Sequence, residues 1–260
     1  MKKIILALLC ALTIEASAQV TDTVTSKPAA IAATPVTVKH VYDDSKPGTF
    51  VIPAVFVAYG ALSFVVKPIR NVDYYFKAQV EQTAPNFNSK PGDYLQLAPA
   101  ALVYGLNLVG IEGKHRFVDR TALLALSGAI LTVADGLKYG AKRTRPYGTD
   151  PLSFPSGHTG AAFLAAEFLA QEYSDKSPWY GVLGYTMATS TAVMRVYGKA
   201  HWFSDCVAGA GFGMLSAKLA YLVYPKIRKA LSHKDKQGRS TSIMPTYEYG
   251  APGLAFAMQL

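Results

Sequence analysis

Three short polar clusters interrupt apolar surroundings between Lys138 and Asp205: Lys138-x6-Arg145-Pro146, Pro155-Ser156-Gly157-His158 and Arg195-x5-His201-x3-Asp205. Together they supply three cations, two imidazoles and one carboxylate within about seventy residues. A transferring phosphoryl group spreads negative charge over its equatorial oxygens, so its transfer depends on positioned cations and donors. Lys138, Arg145 and Arg195 suit that task. Ser156 stands before the apolar run Thr159–Leu164 as an N-cap, and Gly157 lets backbone N–H groups approach an oxyanion at the helix start. His201 and Asp205 are four residues apart. If both are helical they share a face, and the carboxylate can hold one imidazole nitrogen while the other faces phosphorus. His201 is the candidate nucleophile, forming a phosphohistidine with Asp205 as its partner. His158 is the candidate general acid, which then helps deprotonate the attacking water. A protonated His158 among three cations requires the charge of the bound phosphate.

Taken together, the clusters resemble the type 2 phosphatidic acid phosphatase family, over roughly residues 90 to 225. The resemblance implies Lys138, Arg145, Ser156, Gly157 and Arg195 as phosphate binders, His158 as general acid, His201 as nucleophile and Asp205 as its partner. One position departs: the family usually has a small residue before the arginine of the third motif, and Met194 stands there. Vanadium haloperoxidases share this kind of pocket, because vanadate imitates the pentacovalent phosphoryl state. The apolar helices and the exported start fit a lipid phosphatase better. Each cluster alone has a plainer reading, such as basic residues ending a helix or a packed histidine beside Trp202. Lys142 and Arg143 fall inside the first motif but off its pattern, and read as solvated or headgroup-facing charges. Grouped Asp, Glu and His ligands for a metal pair are missing, so neither metal nor other cofactor is expected. The basic residues do not line a polar face with stacking aromatics, so nucleic acid is not an expected partner.

The elements that must position these residues are helices. Apolar stretches at Phe50–Val66, Tyr94–Ile111, Thr121–Leu137, Thr159–Leu169, Tyr180–Met194 and Val207–Val223 predict an all-α, six-helix, membrane-embedded bundle over residues 49–225. Small residues at Gly209, Ala210, Gly211, Gly213, Ser216 and Ala217 allow close helix approach. Trp179, Tyr180, Tyr221 and Tyr224 sit at helix ends, as interface aromatics do. Lys67–Gly92 contains a mixed aromatic and charged stretch, Val72–Val80, read as a short interfacial helix or lid. Asp93 reads as a cap.

Residues 1–18 carry a basic start, a short apolar core and Ala16-Ser17-Ala18 before Gln19, the pattern of a cleaved secretory signal. Residues 19–48 read as a flexible leader. Of the two cysteines, only Cys206 would remain after cleavage, so no intrachain disulfide is expected. Residues 226–260 read as a basic tail followed by a β-hairpin, in which Ile243–Tyr249 pairs across Gly250–Gly253 with the alternating end of the chain.

The formal charge is +9 and the mean hydropathy +0.17, a value between soluble helical and polytopic proteins. Glu167, Gln171 and Lys218 fall inside apolar stretches, which argues against simple spans. Six spans after a cleaved signal would also put the motifs on the cytoplasmic side, whereas similar envelope phosphatases work on the outer side. The expected function is a metal-independent phosphatase of the bacterial envelope, acting on phosphate or diphosphate carried by a lipid, with the membrane as its surroundings. Two alternatives are a soluble periplasmic acid phosphatase for small monoesters and a non-catalytic envelope scaffold.

Overall fold

The computed structural model describes residues 47–148, 150–234, 240–248 and 251–258. A 3-10 turn, Pro47–Phe50, leads into α1 (Val51–Leu62) and α2 (Lys67–Thr83). Next come the short α3 (Pro91–Leu95), α4 (Ala98–Leu108), α5 (Phe117–Asp135) and the short α6 (Leu137–Ala141). After the loop that carries the second motif follow α7 (Gly157–Tyr173), α8 (Trp179–Tyr197) and α9 (Phe203–Leu231). Strands β1 (Ser232–Lys234), β2 (Ser240–Glu248) and β3 (Ala251–Met258) end the chain as an antiparallel sheet in that order.

Helix α7 is apolar on nearly every side, so it needs neighbours on every side. From Thr159 to Tyr173 almost every residue is buried, with α8 and α9 along its length and α4 and α5 completing the enclosure. The neighbours turn inward stripes at helical spacing: Arg120, Leu123, Ser127 and Leu131 on α5, and Gly184, Ala188, Thr191 and Arg195 on α8. Helix α9 lies between α7 and α1 at backbone-to-backbone range. A Cβ at Gly213 would sit 2.2 Å from the Gly160 carbonyl oxygen of α7, and one at Gly211 would sit 2.6 Å from the Pro53 carbonyl oxygen of α1. The small-residue face read from the sequence therefore serves two neighbours at once.

The charged residues inside apolar stretches turn inward and meet. Lys218 Nζ lies 2.8 Å from Glu167 Oε1, which also accepts from Gln171, while Tyr185 donates to Oε2. A second buried group ties the loop after α4 to the bundle: Glu172 accepts from His115, Arg120 and Tyr221. Outer faces remain apolar, with Val55, Val65, Leu108 and Val133 exposed. By length and composition, two helical segments among the described residues can cross a membrane, Phe117–Ala141 and Phe203–Ala230. A third arises if the Pro47–Leu62 and Lys67–Thr83 segments, bent by 86°, are one broken span.

Several expectations need correcting. Each of the six apolar stretches carries a helix, but the count is higher, because α2 is a full helix of 17 residues. Its amphipathic pattern, buried at Asp73 and Val80, let only the short stretch Val72–Val80 read as a helix or lid. It is also anchored, not free as a lid: Asp73 accepts from the Ser204 backbone N–H at 2.8 Å and from its hydroxyl at 2.7 Å, capping the start of α9. Helix α9 continues through Pro225 to Leu231. Strands β2 and β3 pair from Thr241↔Met258 to Glu248↔Ala251, so β3 begins earlier than expected and β1 adds a third strand. The secretory signal at 1–18, and all of the 19–48 leader but its last two residues, lie outside the described residues.

Candidate active site

Helix ends bring the three motifs together. Lys138 sits in α6, just after α5 ends at Asp135. Arg145 lies in the loop before α7, held by its backbone N–H to the Asp150 carbonyl at 3.0 Å. Ser156 is the N-cap of α7, as the sequence predicts, its hydroxyl accepting from the Thr159 N–H at 3.4 Å. Its own N–H donates to the Asp205 carbonyl at 3.1 Å, stitching the starts of α7 and α9 together. Gly157 and His158 open α7. Arg195 occupies the last turn of α8, and the chain then turns through Gly198 and Lys199, whose φ is +56°, to present His201 before α9 begins at Phe203.

The eight predicted residues form one cluster. Arg145 Nη1 is 3.4 Å from His201 Nε2 and donates to the Ala200 carbonyl at 3.1 Å. A Cβ at Gly157 would lie 3.3 Å from Lys138 Nζ, so a larger residue there would crowd the lysine. Each cation also has a carboxylate that sequence reasoning did not assign: Lys138 pairs with Asp135, Arg145 Nε with Asp150 at 2.8 Å, and Arg195 Nη2 with Asp93 at 2.7 Å. Asp93 is thus not a cap; it lies within α3 and also stands 3.2 Å from His158 Nε2.

The His201–Asp205 pairing is corrected as well. His201 precedes α9, so the shared helical face does not form, and Nδ1 lies 4.0 Å from Asp205 Oδ2. Nδ1 instead meets the Ser153 carbonyl at 2.7 Å, and since a carbonyl only accepts, Nδ1 carries the proton and Nε2 its lone pair. Asp205 holds this frame one step back: it accepts from the Ser153 hydroxyl, from the Trp202 N–H at 3.0 Å and from Arg143 Nη1 at 2.6 Å.

Arg143, read as a solvated charge, is a central tie. It donates to Asp205, to Asp73 at 2.6 Å, to Ser204 at 2.8 Å and to Ser63 at 3.1 Å. Its guanidinium also lies over the rings of Phe64 and Trp202. The motif pattern gave no signal for it, since its partners come from α2, the end of α1 and α9. Trp202 donates to the Thr144 carbonyl and, with Phe64, Arg70, Tyr74, Lys142 and Arg143, lines a cavity of about 330 Å³.

Burial and the Arg145 charge push the His201 imidazole down to about 3, although its bond to Ser153 works the other way. It is therefore neutral at physiological pH and has a free Nε2 lone pair. His158 is also lowered, by burial first and then by Arg195, with Arg145 and Lys138 adding to this and Asp93 opposing it. A site of three cations, a neutral imidazole acceptor and a second imidazole is chemically suited to binding and transferring a phosphoryl group.

Residues 119–229 match the model of the PAP2 superfamily. A lipid A 1-phosphatase of Porphyromonas gingivalis is 34% identical over 158 residues, an overlap that covers 59% of this chain and 35% of the relative. The chain thus spans about a third of that relative's length. Among solved structures, a transmembrane PAP2-type phosphatidylglycerolphosphate phosphatase of Bacillus subtilis superposes with a TM-score of 0.50 at 20% identity, covering 70% of this chain and 98% of that one. The helical fold is shared. Aquifex aeolicus LpxE matches at a TM-score of 0.45 and 17% identity, over 57% of this chain and 94% of that one.

Proposed function

We propose that the protein is a membrane-associated phosphatase of the bacterial envelope that removes phosphate from a lipid through a phosphohistidine. The observation that carries the reading is the convergence of Lys138, Arg145 and Arg195 on two imidazoles, one of them neutral with its lone pair free. The similarity to a lipid A 1-phosphatase supports a lipid-linked phosphate as the substrate class. The apolar outer faces of the helices, with the site at the helix ends, suit a phosphate held at headgroup depth.

In this reading the phosphoryl oxygens lie among Lys138, Arg145, Arg195 and the N–H groups at the start of α7. His201 Nε2 attacks phosphorus, and the bond to the leaving oxygen breaks as His158 supplies its proton. The Ser153 carbonyl, fixed through Asp205, keeps the Nδ1 proton in place and stabilises the imidazolium character that develops on attack. Water then attacks phosphorus and gives its proton to His158. The P–N bond breaks, and His201 returns to neutral as phosphate leaves. Charge neutralisation comes from side chains, so chelator-treated enzyme retains activity and vanadate inhibits it.

Purified protein in detergent, assayed against long-chain lipid phosphates and against glycerol phosphate, tests the reading. The expected result is vanadate-sensitive release of phosphate from the lipids, with a trapped phosphoenzyme that His201→Ala lacks. Equal turnover of short-chain monoesters would favour the soluble-phosphatase alternative. Phosphoenzyme surviving in the variant would overturn the nucleophile assignment.

A further inference from the structure

One carboxylate stands inside the cation cluster itself. Asp93 Oδ1 lies 2.7 Å from Arg195 Nη2 and 3.2 Å from His158 Nε2. It therefore contacts both the cation and the imidazole that the proposed mechanism assigns to phosphate and to the leaving oxygen. Arg195 Nε is buried and has no hydrogen-bond partner among the described residues, leaving a donor that a phosphate oxygen would satisfy.

The surroundings are built to put Asp93 there. Arg195 Nη2 also donates to the Ser89 carbonyl at 2.7 Å, and a Cβ at Gly92 would lie 2.8 Å from that nitrogen. Gly198 receives Ser89 at a distance that admits no side chain, since a Cβ would lie 2.5 Å from the serine Cβ. Lys199 Nζ reaches the Pro85 carbonyl at 3.2 Å, and the Phe87 and Tyr197 rings meet at 5.5 Å. The stretch from Pro85 to α3 is thus fastened to the end of α8 at several points. The Asp93 side chain is nevertheless 46% exposed, so its carboxylate can turn into water while the backbone stays in place.

We propose that Asp93 is a positioning residue: in the empty site its carboxylate holds Arg195 and His158 in place, and an incoming phosphoryl group displaces it. This rests on the phosphatase reading and deepens it, because the displacement sets how tightly the site takes phosphate. A ligand that binds only the displaced form has its affinity reduced by the fraction of molecules in that form. If the bridged form holds about nine-tenths of empty molecules, abolishing the bridge tightens binding on the order of tenfold. The groups facing His158 are Arg195, Arg145, Lys138, His201 and Asp93, and among the charged ones only Asp93 favours the protonated ring. Its loss should therefore also move the alkaline limb of kcat/KM to lower pH.

Calorimetric binding of inorganic phosphate and of vanadate to the purified full chain in detergent tests this without turnover. Asp93→Asn is expected to lower both dissociation constants on the order of tenfold, to lower KM, and to shift the alkaline limb downward. Asp93→Glu, which keeps the charge, is expected to bind close to wild type. Unchanged or weaker phosphate binding by Asp93→Asn, or an unmoved pH limb, overturns the proposal while leaving the phosphatase reading intact. Binding of neither anion by either protein overturns the phosphate site and the proposal with it.

Discussion

His158 and His201 are chemically the same group placed in two environments. His201 is 3% exposed, bonded through Nδ1 and neutral, whereas His158 is 41% exposed and paired with the half-exposed Asp93 carboxylate. In the proposed mechanism that difference separates a nucleophile with a free lone pair from an acid whose proton is favoured by bound phosphate. His158→Ala should slow hydrolysis of alkyl phosphates by roughly 10² to 10⁴, and of activated aryl phosphates far less, because only the former need a proton on the leaving oxygen. Steady-state rates on both substrate types decide it; equal losses would make His158 a phosphate ligand. The pH dependence has a definite sign. His158 is lowered from 6.5 in the free enzyme, so kcat/KM should fall as pH rises through a value below 6.5. The kcat limb should lie higher, since bound phosphate favours the charged ring. Arg143 is the tie between the two buried carboxylates Asp73 and Asp205. Arg143→Ala leaves both buried without their cation and should cost roughly 3–5 kcal/mol in denaturant unfolding, with Arg143→Lys intermediate because it lacks the forked donor set. At this scale the motif residues were legible, since phosphoryl chemistry restricts residue type and local spacing. Arg143, Asp73 and Asp93 were not, because carboxylates and cations far apart in the chain find each other through folding and leave no spacing rule, whereas Asp135 stands three residues before Lys138, within helical reach. The His201–Asp205 bond failed for a local reason: it assumed a helix already formed at His201, two residues before α9 begins.

Helices were legible in full where apolarity was continuous and only in part where it was periodic. Helix α2 shows this. It lies partly outside the apolar pattern, yet Asp73 on its buried face fixes the start of α9 and so the turn that presents His201. The charges in α7 and α9 misled in the other direction, because Glu167 and Lys218 looked like obstacles to embedding and instead satisfy each other inside the bundle. Glycines separate by the same criterion of what they face. Gly213→Ala drives a methyl against the Gly160 carbonyl and should destabilise by roughly 1–3 kcal/mol, with α7 and α9 forced apart beneath the site. Gly128→Ala in α5, where an added Cβ meets nothing within 4 Å, should stabilise by about 0.4–1 kcal/mol. Thermal unfolding in detergent measures both; similar shifts in the two variants would refute the close α7–α9 crossing.

Across the whole molecule, a helical bundle with apolar outer faces gathers the candidate site at one set of helix ends, and a formal charge of +9 invites the idea that it attracts anions from afar. The pairing of Lys138 with Asp135, Arg145 with Asp150 and Arg195 with Asp93 argues otherwise. From beyond a Debye length, about 8 Å at physiological ionic strength, each cation and its carboxylate present a dipole instead of a net charge. A phosphate would gain the positive charge only by exchanging places with a carboxylate at contact distance. The encounter step should then be governed by diffusion within the membrane plane and by local exchange, with little long-range steering. Raising salt from about 0.05 to 0.3 M should change kcat/KM on an uncharged-detergent surface by less than about twofold, where a steered site would lose rate steeply.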